Sequence, residues 1–210
     1  MKISTALKVL AGAAVALLPL SASAESNFQS GAGALTSTAK VDFQVTIPKV
    51  LYLRVGTGSA YPITLASVGT VDLVSFAPTA AVVGNGTAVV GAGGDLTGGV
   101  ETAAIISNSG NVTLNATATG ALSDGGTGTI AYTQITTAAT ALTGAYTLLP
   151  APVLANGVSA NVVLVAPATK VITADAKWTY SYANTTTPAA GTYGGVNVNN
   201  GRVTYTATMP

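Results

Sequence analysis

From Lys177 to Tyr182 the chain reads Lys-Trp-Thr-Tyr-Ser-Tyr, with large aromatics on alternate positions and polar residues between them. A strand sends successive side chains to opposite faces, so this alternation describes a half-buried β-strand. The chain then passes a turn region holding Pro188 and Gly191, the run Val196-Asn197-Val198, the triplet Asn199-Asn200-Gly201, and finally Arg202 to Met209. Asn-Gly between two alternating runs signals a hairpin, because both turn positions must tolerate positive φ. The C-terminal strand is therefore expected to carry Val203, Tyr205, Ala207 and Met209 on one face and Arg202, Thr204, Thr206 and Thr208 on the other.

The same alternation appears near the other end. Val41, Phe43, Val45 and Ile47 fall on one face and Asp42, Gln44 and Thr46 on the opposite one, which predicts a strand. Pro48 ends it, and Val50 to Val55 resumes an extended run, so the chain is expected to bend or change sheets at the proline. Between these ends the strand-like segments are short: Ile63 to Leu65, Val71 to Phe76, Ala80 to Val83 and Ala88 to Val90. Gly84 to Gly99 reads as a Gly-rich insertion, a long loop or mobile hairpin. Glu101 to Ser107 and Asn111 to Thr119 flank a second hairpin candidate at Asn108-Ser109-Gly110, and Asp124-Gly125-Gly126 marks a turn before Thr129 to Thr136. Thr-rich content and Gly144 argue against a helix over Ala138 to Leu149. Val158 to Val165 and Lys170 to Thr173 complete the set. Turn signals every 8 to 12 residues or so, without 3.6-residue periodicity, predict an all-β fold, an antiparallel Ig-like or Greek-key β-sandwich.

Met1 to Ala24 is expected to be a signal peptide. Lys2 and Lys8 form a positive n-region, Val9 to Leu20 is apolar, and Ala22-Ser23-Ala24 supplies a small-x-small cleavage site. Residues 25–39 then read as a flexible leader, and 40–210 as a single sandwich domain with the insertion near 84–99. Losing Lys2 and Lys8 turns eight basic against seven acidic residues into six against seven, a net charge of −1. With no basic surface to neutralise phosphates, nucleic acid is excluded as a partner. The chain has no cysteine, so stability must come from the core or from a partner instead of from disulfides.

Histidine is absent as well, which removes Ser-His-Asp and Cys-His catalysis and the metal sites built on either residue. No cofactor and no enzymatic activity are expected. The least unsuitable carboxylate pair is Asp95 and Glu101; Asp in a turn more commonly bonds nearby backbone N–H groups. Gly91 to Gly99 carries one copy of a glycine/aspartate pattern that binds calcium only when repeated, and Gly126 to Ala131 matches G-x-G-x-x-A by letters but opens onto a strand. Both read better as turns. Asn85, Asn111, Asn115 and Asn184 begin Asn-x-Thr triplets, which a Thr-rich chain produces by chance. Trp178, Tyr180 and Tyr182 form either a sugar-binding platform or, as their alternation favours, core aromatics.

A signal peptide, a flexible leader, an alternating N-terminal segment (Val41 to Ile47), a Thr/Ala/Gly-rich β body and a C-terminal alternating strand with a tyrosine (Arg202 to Met209) together resemble bacterial fimbrial subunits of the chaperone–usher type, in their cysteine-free class. The resemblance implies an incomplete Ig-like fold at the cell surface. Val41, Phe43, Val45 and Ile47 would be donated to the next subunit, and the Val203, Tyr205, Ala207 and Met209 strand would border the accepting groove or meet a chaperone. It also implies self-association into a homopolymer, with a periplasmic chaperone and an outer-membrane usher as partners. The alternative is a self-contained secreted sandwich that binds carbohydrate, such as host or surface glycans, or another surface component. Whether Val41 to Ile47 pairs within its own chain separates the two.

Overall fold

A computed structural model describes residues 26–56, 67 and 69–210. The signal-peptide expectation for Met1 to Ala24 and the segment Ile63 to Leu65 lie outside the described residues. The chain divides into two units, Met1–Ile47 and Pro48–Pro210.

The described part of the first unit, residues 26–47, contains neither strand nor helix. Its alternating apolar residues face water: Val41 is 67% exposed, Phe43 90%, Val45 83% and Ile47 76%. The strand expected over Val41 to Ile47 is thus not formed. Alternation suits a segment to a sheet, but a strand needs a neighbour to take its backbone hydrogen bonds, and no ladder among the described residues includes this one.

In the second unit thirteen strands follow one another among the described residues: β1 (Leu51–Val55), β2 (Val74–Ser75), β3 (Val89–Val90), β4 (Ala92–Gly93), β5 (Val100–Ser107), β6 (Val112–Ala118), β7 (Leu122–Ser123), β8 (Thr129–Ile130), β9 (Ile135–Thr140), β10 (Thr147–Leu148), β11 (Val162–Leu164), β12 (Ile172–Tyr182) and β13 (Val203–Thr208). A single 3-10 turn at Tyr132–Gln134 precedes β9. The larger sheet runs β1-β5-β12-β10, with β3 and β9 also paired to β12; the smaller runs β11-β6-β13. All pairings are antiparallel except the two-residue contact of β10 with β12.

Sequence explains which strands are central. β12 buries Ile172, Ala174, Ala176, Trp178, Tyr180 and Tyr182, one face of its eleven residues, as the alternation requires. β5 lies between β1 and β12 and is buried on both faces from Glu101 to Ile105, which suits its run of small and apolar residues. From the other sheet, β6 contributes Val112, Leu114, Ala116 and Ala118. The two inner faces meet in one core. Trp178 is fully buried there and its indole N–H donates to the Leu149 carbonyl at 2.9 Å, so the ring is packed without an unpaired donor.

Two expected hairpins are not hairpins. Asn108 to Gly110 joins β5 to β6 in the opposite sheet, because both edges of β5 are already taken. Asn197, Asn199 and Asn200 do adopt positive φ (58°, 49° and 58°), but they curl the chain into a loop closed by the Gly201 N–H on the Val198 carbonyl. Val196 to Val198 forms no strand, and β13 pairs with β6 instead. The turn at Asp124 to Gly126 does connect a hairpin, β7 with β8. The expected Gly84 to Gly99 loop contains β3 and β4, and a Cβ on Gly99 would come within 2.6 Å of the Gly91 Cα, so glycine at both lets the backbones touch.

Candidate functional site

Strands β1 and β13 are each the last strand of their sheet, with one hydrogen-bonded edge and one open edge among the described residues. Their ends approach each other. The Lys49 ammonium, just before β1, donates to the Pro210 carbonyl, just after β13, at 3.1 Å. Along these two edges lies a groove of about 1420 Å³. Leu51, Leu53 and Val55 of β1 form one wall, Val203 and Tyr205 of β13 the other, and Tyr132, Ile135, Leu154, Tyr180 and Tyr182 reach it from within. Val71 to Phe76, which includes β2, and loop residues Pro188 to Val196 also line it. The wall residues pack on the core yet remain only partly buried. Among the described residues, one side of the sandwich therefore leaves apolar side chains that point inward only partly covered.

Carboxylates gather at the end of the groove beyond β1. Gly56 follows β1 with φ +78°, and a Cβ there would fall 2.5 Å from Asp72 Oδ2 and 2.7 Å from Glu101 Oε2, so glycine leaves room for both acids. Burial raises the Glu101 carboxyl first; the Asp95 N–H, donating to Oε2 at 3.3 Å, pulls it back in part; the charges of Asp72 and Asp95 and a hydrogen bond with Asp72 push it up again, to about 7. Glu101 thus meets Asp72 as a hydrogen-bond partner. Asp95 differs from the catalytic partner considered above: its carboxylate accepts the Thr102 N–H at 2.8 Å and the Thr102 hydroxyl, so it braces a turn. Among the described residues no cluster of three such groups could hold a metal ion.

The structure brings part of the expected site together. Val203 and Tyr205 line the groove, and Ala207 and Met209 pack on the core from the same face of the C-terminal strand. Val41, Phe43, Val45 and Ile47 belong to the other unit and are exposed. Trp178 offers no face to a ligand, while Tyr180 and Tyr182 border the groove. Asn184 is fully buried, with its amide committed to three backbone groups, which removes it as a glycan acceptor in the folded chain. The Gly126 to Ala131 pattern is a turn held by Asp124 Oδ1, which accepts the Gly126 and Gly128 N–H groups at 2.7 and 3.1 Å. Leu51, Leu53 and Val55 were missed as a groove wall, although their own alternation marks them; Asp72 beside Glu101 carries no local signal, since 29 positions separate them.

Comparison with protein-family models, with curated proteins and with solved structures finds no match to this chain.

Proposed function

We propose that the chain is a structural subunit of a bacterial surface fibre that polymerises by strand donation, with Val41 to Ile47 of one subunit filling the groove between β1 and β13 of the next. The observation that carries this reading is the pairing of surplus and deficit in one chain: an alternating apolar segment left in water, and a sandwich side with two open strand edges and a partly covered apolar interior. A strand laid along the open edge of β1 or β13 would satisfy the backbone groups on that edge while burying alternate side chains. Each Val, Ile or Phe moved from water into such a groove contributes about 1.5 to 3 kcal/mol. The groove volume of about 1420 Å³ exceeds the roughly 300 to 1000 Å³ usual for small-molecule sites, which favours a peptide occupant.

In this reading the sandwich is an Ig-like fold short of one strand. The subunit is secreted through its signal peptide, held in the periplasm by a chaperone that lends a strand, and delivered to the surface by an usher. Negative-stain microscopy of the processed chain, incubated with and without a synthetic peptide spanning residues 40–49, tests it. Elongated polymers suppressed by the peptide are expected; a monomer that stays monomeric at high concentration and ignores the peptide would contradict the reading.

A further inference from the structure

Three residues, Pro48 to Val50, join the alternating segment to β1, and their backbone is pinned by one side chain. Asn108 Oδ1 accepts the Val50 N–H at 2.8 Å, Asn108 Nδ2 donates to the Pro48 carbonyl at 2.8 Å, and the Asn108 N–H donates to the Val50 carbonyl at 3.3 Å. Val50 thereby extends the β1–β5 pairing past its last register pair, Leu51 with Ser107. Lys49, between them, reaches the Pro210 carbonyl at the end of β13. The Asn108 amide accepts from one backbone group through Oδ1 and donates to another through Nδ2; aspartate could only accept, and alanine could do neither. Pro48 also confines Ile47 to extended conformations.

For Val41 to Ile47 to lie in the groove of its own chain, it would have to run back alongside β1. The reversal would then fall within Pro48 to Val50. Every tight turn holds at least one of its central residues in a helical or left-handed conformation, and a residue in that state cannot also continue a strand. At least one of Pro48 and Val50 would have to leave Asn108, and the amide would lose a partner.

We propose that Asn108 is a positioning residue that commits the donor segment to a second copy of this chain: by holding Pro48 to Val50 in line with β1, it denies the segment its own groove. The inference rests on the strand-donation reading and adds what decides between self-closure and polymerisation. Removing the clamp is expected to convert part of the population into closed monomers.

The absence of cysteine allows a direct test in the full processed chain. Val45→Cys and Leu53→Cys are introduced together, a short bismaleimide is added, and products are separated by mass with Asn108 intact or replaced by alanine. With Asn108 intact the cross-links should join chains into dimers and larger ladders whose yield rises with concentration. With Asn108→Ala the internally linked monomer should increase several-fold and become independent of concentration. A monomeric product already dominant with Asn108 intact, or ladders unchanged by Asn108→Ala, would overturn the clamp while leaving strand donation standing. Absence of any cross-link in either background would remove strand donation and the clamp with it. If Asn108→Ala does not fold, inserting Gly-Ser-Gly-Ser between Ile47 and Pro48 gives the chain room to turn with the clamp in place, and the same shift to internal cross-links is expected; persistence of ladders there would count against the inference.

Discussion

The hydroxyls of Tyr180 and Tyr205 meet at 2.8 Å, one from each sheet, and the Tyr205 ring lies 5.2 Å from that of Trp178. Burial raises the Tyr205 phenol to about 12 and Tyr180 well above its ordinary value, so the pair stays neutral and each hydroxyl depends on the other for its hydrogen bond. Tyr180→Phe or Tyr205→Phe should each cost about 1 to 2 kcal/mol, because a buried hydroxyl is left unpaired. The double variant should cost less than the sum. Chemical denaturation of the three variants measures this, and strict additivity would contradict the pairing.

Trp178→Ala should cost about 3 to 5 kcal/mol, as truncation of a large buried aromatic does. Trp178→Phe should lose less, chiefly the bond to the Leu149 carbonyl. A denaturation midpoint unchanged in Trp178→Ala would contradict its place in the core.

Raising pH should destabilise the fold through Glu101. Its carboxyl binds a proton more tightly in the folded chain (about 7) than at its ordinary value of 4.5. A group raised in this way contributes stability that is fully present below about 4.5 and is lost as pH rises through about 7. Glu101→Gln, which mimics the protonated acid, should flatten that decline. Thermal melts between these pH values provide the measurement, and a Glu101-dependent gain in stability with rising pH would contradict the account.

Asn184 organises the loop from Val82 to Thr87. At φ 55° and fully buried, it accepts the Gly84 N–H and donates to the Val82 and Thr87 carbonyls. Asn184→Ala should therefore cost about 2 to 3 kcal/mol, since several buried backbone groups lose their partner. Limited proteolysis should then cut within this loop first, and an unaltered cleavage pattern with unaltered stability would refute the role.

Strand periodicity made much of the fold legible. β1, β5, β6, β12 and β13 all lie where alternation or dense apolar runs placed them, because burying one face of a strand leaves a period of two in the residues themselves. Pairing was not legible. The Asn108 and Asn199 turns fit a hairpin locally, yet which strand sits beside which is decided by edges occupied far along the chain, as when β5 is enclosed by β1 and β12. Val41 to Ile47 shows the same limit: its pattern describes what it can bind, and no partner in its own sequence neighbourhood is specified. Alternation placed Val203 and Tyr205 on one inward face of β13, and both line the groove. The Asp72–Glu101 contact arose from folding alone.

The central claim is that Val41 to Ile47 of one copy occupies the groove of another, and Phe43→Asp tests it most directly. Phe43 is 90% exposed in the single chain, so a charge there should change monomer stability by no more than about 0.5 kcal/mol. Inside a neighbour's groove the same carboxylate would be buried without a partner, at a cost of several kcal/mol. Quantifying soluble monomer and assembled polymer from the same cells decides between them. The account predicts a monomer level near that of the unaltered chain with polymer abolished; polymer that persists, or monomer and polymer lost together, would contradict it.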